Sequence, residues 1–159
     1  MKNDDATSDD QIECVWIDNQ QLSHEKMVEL LKVFGDLLPD PMSERVDLDA
    51  YADKWLKNAD ILLAYEKDKI VGMRVLYAND LKTRHAHGLL LSILPSHQGL
   101  GIARKMYTET FLLAKQRGMT QIYHYVHYEN QRMIKLNESL GYKVVGFRSP
   151  KIEMCLELS

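Results

Sequence analysis

The chain has 159 residues, 27% charged and 45% hydrophobic, with a formal net charge of -3 at pH 7. That length suits one domain with a full core, and the slight acidic balance excludes the broad basic field used in non-specific nucleic-acid binding. No run is long and apolar enough to span a bilayer, and the polar, acidic start MKNDDATSDDQ is unlike a secretory leader, so we expect a cytoplasmic protein with a disordered lead-in over 1–10.

Residues 12–17 (IECVWI) mix apolar alternation with β-formers and predict a first strand. The period then changes. Ser23 is a candidate cap, Glu25 favours a first turn, and Met27, Leu30, Leu31 and Phe34 form a stripe at helical spacing. Pro39 and Pro41 interrupt the chain before a second helix expected over 49–58. Two strands, 61–65 and 70–77, follow around an EKDK hairpin turn, then a loop LKTRHAH. The apolar run GLLLSIL (88–94) predicts a central strand covered on both faces. A helix over 102–117 stops at Gly118, a strand QIYHYVHYE follows, and NQRMIKLNESLG makes a helix closed by Gly141. YKVVGF and KIEMCLEL complete the chain as a strand pair. This order argues for an α/β fold with one mixed sheet and helices on both faces. Cys14 and Cys155 lie in strand-like apolar surroundings near opposite ends, which suits free thiols in a reducing compartment; a link between the terminal strands is the alternative.

Between the apolar run and the helix after it lies LPSHQGLGIARKMY (94–107). With a strand ending near Leu94 and a helix opening at Ile102, QGLG sits where the first helical amides lack intrahelical partners. Gly99 and Gly101 let backbone approach an anion closely and take up positive φ. Arg104 and Lys105 oppose the helix dipole there, which a bound phosphate would offset. The other reading is a tight turn with solvated basic residues. The stretch is neither a P-loop nor a dinucleotide fingerprint, since GK[ST] and G-x-G-x-x-G are absent.

The block LSILPSHQGLGIARKMYTETFLLAKQRGMTQIYHYVHYENQRMIKLNESLGYKV resembles the core of the GNAT superfamily of N-acetyltransferases. The resemblance rests on Gln98, Gly101 and Ala103 in a Q-x-x-G-x-G/A turn, on Asn130 opening the next helix, and on Leu140-Gly141-Tyr142 closing it. It implies a single domain over 11–159, with a central, mostly antiparallel sheet and a splayed parallel strand pair. It also implies acetyl-CoA as co-substrate, with Leu91, Ile93, Leu94, Gln98, Gly99, Leu100, Gly101, Ile102, Ala103, Arg104, Asn130, Met133 and Asn137 as its contacts. Ile93 would supply the amide that polarises the thioester carbonyl. Asn130 also reads simply as a helix N-cap.

The chemistry implied is direct attack of a neutral primary amine, which needs a proton acceptor and a stabilised leaving thiolate. Histidines are available at His85, His87, His124 and His127. On a regular strand His87 shares a face with Leu91 and Ile93, so it is the candidate base; a surface loop histidine is the other reading, and a bulge would change the face. Members of the family often carry a tyrosine where this chain has Asn137; an amide can steady a thiolate but cannot protonate it, which leaves Tyr142 or Tyr128 for that role. Histidines on opposite faces of a strand make a poor chelate, so no metal is expected.

Asp36, Asp40, Glu44, Asp47 and Asp49 suggest an acidic rim that would attract a small cationic amine such as a polyamine, an aminoglycoside or an amino sugar, unless they are simply a solvated face. Protein or peptide amines are the alternative acceptors, and a non-catalytic acetyl-CoA sensor is the alternative role. No nucleic-acid or membrane partner is expected, and a homodimer is compatible with this reading.

Overall fold

The structure, a computed structural model, describes residues 11–159, so the expected lead-in over 1–10 lies outside the described residues. Seven strands, β1 (Ile12–Trp16), β2 (Asp60–Glu66), β3 (Lys69–Tyr77), β4 (His85–Ile93), β5 (Gln121–His127), β6 (Lys143–Arg148) and β7 (Lys151–Glu157), form one sheet in the order β1-β2-β3-β4-β5-β7-β6. Neighbours are antiparallel except β4 and β5, which run parallel and pair only from His85 opposite Gln121 to Gly88 opposite His124. Beyond Gly88 the two strands part.

Four α-helices cover the sheet: α1 (His24–Leu30), α2 (Leu48–Asn58), α3 (Ile102–Gln116) and α4 (Gln131–Ser139). Their ends follow from local chemistry. Ser23 accepts from the Lys26 amide at the start of α1, and Asp47 accepts from the Asp49 and Ala50 amides at the start of α2. Each such cap contributes about 1 kcal/mol. α1 continues through Leu31–Gly35 as a wider π-helical turn that buries Leu31 and Phe34. No helix among the described residues is long and apolar enough to cross a membrane.

The core has two layers. On one face of the sheet, Leu62, Leu76, Leu91, Ile93 and Ile122 pack with Ile102, Met106 and Tyr107 of α3; on the other, Ile61, Leu63, Met73, Val75 and Leu90 pack with Met27, Phe34 and Trp55. The terminal cysteines do not pair. Both are free, and β1 and β7 are separated by four strands.

Two expectations change. The loop LKTRHAH is shorter than expected: the Asp80 carboxylate accepts from the Lys82 and Thr83 amides, Arg84 takes a positive φ of 60°, and β4 already begins at His85 because β5 pairs with it there. Nor does β4 alternate regularly. Val75 lies opposite Leu90 and Leu76 opposite Gly88, so Leu89 is an extra residue in a β-bulge. The bulge exchanges the faces: Ala86 and Gly88 share the α3 side with Leu91 and Ile93, whereas His87 points to the side of α1 and α2.

His24 clamps α1 to α2, its Nε2 lying 2.9 Å from Asp49 Oδ1 and its Nδ1 2.8 Å from Asp53 Oδ1. These two carboxylates, Asp49 first, hold its pKa above the ordinary range. A raised pKa in the folded state adds stability below the unfolded value of about 6.5, and that addition fades as pH rises through the folded value. His24→Ala should therefore lower the melting temperature more at pH 5.5 than at pH 8.5. Thermal melts across that range check it; equal losses at both ends would remove the ion pair from the account.

Candidate active site

The chain leaves β4 through Pro95 and enters α3 through a turn in which Gly99 (φ 81°) and Gly101 (φ 87°) are both left-handed. A side chain at Gly101 would be strained, and one at Gly99 would bring a Cβ within 3.1 Å of Arg132 Nη2. The amides that open α3 have no intrahelical carbonyl to meet and lie at the positive end of the helix dipole. Gln98 fixes this turn to its surroundings: its Nε2 donates to the Ile93 carbonyl (3.2 Å), and its Oε1 accepts from Arg132 Nη1 (2.9 Å). Arg104 donates to Ser139 Oγ at 2.9 Å.

A cleft of ≈ 310 Å³ runs from this turn along β4 towards α4. One wall is Leu91, Ser92 and Ile93, whose edge towards β5 has no partner strand. The other is Asn130, Arg132, Met133 and Leu136, with Leu37 and Leu38 at the border. The cleft thus offers free amides, two arginines and an unpaired strand edge, all suited to an extended ligand with an anionic end.

A smaller inner pocket of ≈ 90 Å³ adjoins the cleft at Leu38, Leu91, Asn130 and Met133. Gly88, Leu89, Tyr107, His124 and Arg74 line its inner part, and Asp40, Arg45, Tyr125, His127 and Lys151 its rim. Behind it lies a buried polar cluster. Asn137 Nδ2 donates to His124 Nε2 at 2.9 Å, and Tyr142 stacks on the His124 ring with centroids 4.5 Å apart. Burial, reinforced by the Arg74 charge, pushes the His124 pKa down to about 3, so this imidazole is neutral. Burial pushes Tyr107 up to about 12, against the opposing pull of Arg74, and raises Tyr142 too; both phenols keep their protons at neutral pH.

Of the residues singled out in the sequence, Leu91, Ile93, Gln98, Gly99, Gly101, Ile102, Ala103, Arg104, Asn130 and Met133 line the cleft together, while Leu94, Leu100 and Asn137 are not among its lining. Asn130 also caps α4, accepting from the Met133 amide. Asn137 is 0% and Tyr142 2% exposed, behind the inner pocket instead of in it. Strict alternation predicts His87 on the Ile93 face; the bulge at Leu89 places it on the other. There it stacks on Tyr123 with centroids 5.9 Å apart. The acidic rim is also revised. Asp36 is bonded to Ser43, Asp47 caps α2, Asp49 holds His24, and only Asp40 reaches the inner pocket, within 3.4 Å of both Arg45 and Lys151. Arg132, Tyr107 and Arg74 went unnoticed in the sequence. Arg132 was within reach, one turn before Leu136 on the face that carries Met133.

A mixed sheet that opens between its two parallel strands, beside a glycine turn that starts a helix, defines a domain for an extended anionic cofactor. Residues 26–142 match the acetyltransferase (GNAT) family, and the chain belongs to that family. Similar structures include a GNAT family acetyltransferase from Elizabethkingia anophelis with acetyl-CoA bound, at 16% identity over 94% of this chain and 99% of that one (TM-score 0.71). Others are IAA acetyltransferase from Bacillus cereus (13%, 92% and 99%, 0.69) and the ribosomal-protein-S18-alanine N-acetyltransferase from Escherichia coli (14%, 93% and 94%, 0.72). Identities this low establish a shared fold. No curated protein matches the sequence significantly.

Gly101→Glu places a side chain at a left-handed position and a negative charge at the α3 N-terminus. It should abolish the thermal shift given by acetyl-CoA while the far-ultraviolet circular dichroism stays unchanged. Retained affinity would take the anion away from this turn.

Proposed function

We propose that the protein transfers an acetyl group from acetyl-CoA to the primary amine of a small molecule by direct attack on the thioester. The observation that carries this reading is the unpaired β4 edge running into the amide-lined turn of α3. The residues present fit acetyl-CoA: the turn from Gln98 to Ala103, with Arg104 and Arg132, would hold the pyrophosphate, and the free edge of β4 the pantetheine arm. When bound, acetyl-CoA supplies an activated acyl group. The inner pocket then receives the acceptor, and its small volume favours a compact amine over a peptide segment. Free thiols at Cys14 and Cys155 fit a cytoplasmic setting.

As the nitrogen–carbon bond forms and the carbon–sulfur bond breaks, the amine gives up a proton and the sulfur leaves as thiolate. We assign the amine proton to His87. Of the other five imidazoles, four are hydrogen-bonded, His24 to Asp49 and Asp53, His97 to Ser96 and Glu66, His124 to Asn137, and His127 to the Glu129 amide, and His85 packs on Tyr123 at the start of β4, three residues before Gly88 of the pocket wall. His87 makes no hydrogen bond among the described residues, adjoins Gly88 of the pocket wall, and shares a sheet face with Tyr123, on which it stacks, and with Tyr125 of the rim. Burial, then the neighbouring His85, holds its pKa below the ordinary value, which favours the neutral imidazole that a base requires. Asn137 acts indirectly, fixing the His124 ring. Tyr107 is a phenol that lines the inner pocket, its hydroxyl 3.7 Å from Sδ of Met133, a residue bordering both pocket and cleft, and we assign to it the proton that neutralises the thiolate.

Acetyl-CoA-dependent thiol release against a panel of amines tests the reading; a thermal shift without turnover on any amine would favour a sensor. His87→Ala should lose about 100-fold in rate at neutral pH and recover where the amine is already deprotonated. An unchanged pH profile would exclude His87 as the base. Tyr107→Phe should lower kcat and leave the KM for acetyl-CoA unchanged; an unaltered kcat would leave solvent to protonate the thiolate.

A further inference from the structure

Arg74 is the largest fully buried side chain among the described residues, at 1% exposure. A guanidinium stays cationic at any pH the fold survives, and burying such a charge without an anion is costly. Here the known partners are weak. Nε donates to Thr110 Oγ1 at 3.3 Å, the guanidinium carbon lies 5.2 Å from the Tyr107 ring centroid, the uncharged Tyr142 phenol stands beside it, and Nη2 makes no well-formed hydrogen bond. None of the ion pairs among the described residues involves Arg74.

The position of this charge is specific. Arg74 lines the inner pocket at the point where β4 and β5 part. A Cβ on Gly88 would lie 2.8 Å from both Nη1 and Nη2, so the guanidinium fits against β4 only because residue 88 has no side chain. Around it stand the neutral His124 and the protonated Tyr107. The charged side chains lining the pocket are Arg45, Arg74 and Lys151 against the single carboxylate of Asp40, which is shared by the two rim cations. A pocket so charged rejects a polyamine and selects an anion, and its volume suits a group the size of a carboxylate.

We propose that the acceptor is an amino carboxylic acid, whose carboxylate is bound by Arg74 at the floor of the inner pocket while its amine faces the cleft. The proposal rests on the acetyl-transfer reading for the reaction but not for the binding. A fork of guanidinium donors meeting a carboxylate satisfies Nη2 and neutralises the buried charge. It also gives specificity, because an uncharged analogue leaves that charge unmatched.

The experiment uses matched pairs, L-amino acids against their carboxamides as acetyl acceptors, and N-acetyl-L-amino acids against their carboxamides as ligands in calorimetry with CoA present. The panel spans small, aromatic, aliphatic and acidic side chains, with wild type, Arg74→Met and Arg74→Lys compared. The preferred acid should bind about 10- to 100-fold more tightly than its amide and exceed it by about the same factor in kcat/KM. Arg74→Met should erase the preference of acid over amide, and Arg74→Lys should restore part of it. If the Met variant fails to fold, the wild-type pairs and the Lys variant decide. Equal use of acid and amide by wild type, a preference that survives in Arg74→Met, or no acid binding at all would overturn the proposal. So would an equal loss of kcat on both members of a pair, which would place Arg74 on the leaving group. Acid-selective binding without turnover would reject acetyl transfer and keep the anion site.

Discussion

The separation of β4 from β5 is the constraint on which the rest of the molecule depends. The two strands pair for four residues, from His85 to Gly88, and then diverge, leaving the edge of 89–93 without a partner strand. Backbone donors and acceptors inside a sheet are normally all paired, and an open edge is a place where another extended chain can be added. The structure surrounds this edge instead of closing it. The turn at Gly99 and Gly101 brings the start of α3 to one end, α4 forms the opposite wall, and Leu37 and Leu38 reach its border. Gln98 ties these parts together through Ile93 and Arg132, so the glycine turn and both walls of the cleft hold a common geometry.

The extra residue at Leu89 lies where β4 and β5 part and sets which side chains of β4 face the inner pocket. By exchanging the faces of β4 it directs His87 to the side of the α1 and α2 helices, and Gly88 to the side where Arg74 needs room. A cation, two phenols, an imidazole and an amide therefore lie together beneath an apolar layer. Only part of this cluster is satisfied internally. Asn137 and His124 hold each other, whereas Arg74 Nη2 and the Tyr142 hydroxyl make no well-formed hydrogen bond. Groups of this kind are expensive inside a protein unless a function uses them.

Most of the fold was legible because its signals are local. Helical stripes, the cap at Ser23 and the paired glycines before Ile102 each act within a few residues, whereas a cofactor role for that turn rests on the resemblance of Gln98, Gly101 and Ala103 to a family motif. What stayed hidden depends on distant partners. GLLLSIL contains nothing that marks Leu89 as the extra residue; β3 decides that through its register. Arg74 reads as an ordinary polar interruption in IVGMRVLY, and only α3 and the missing Cβ at Gly88 make it an interior charge. The acidic stretch misled for a related reason. Asp36, Asp47 and Asp49 are used by Ser43, the α2 amides and His24, which composition cannot reveal.

The seam between β4 and β5 also divides the sheet mechanically. On one side β1 to β4 form an antiparallel block, on the other β5, β7 and β6 form a second, and four residue pairs join them within the sheet. A molecule lying along the free edge of β4 would act as an eighth strand for part of its length and stiffen the joint between the two blocks. Breathing of the ligand-free protein should concentrate along this line, so that slow amide hydrogen exchange spreads across the seam only when the gap is filled.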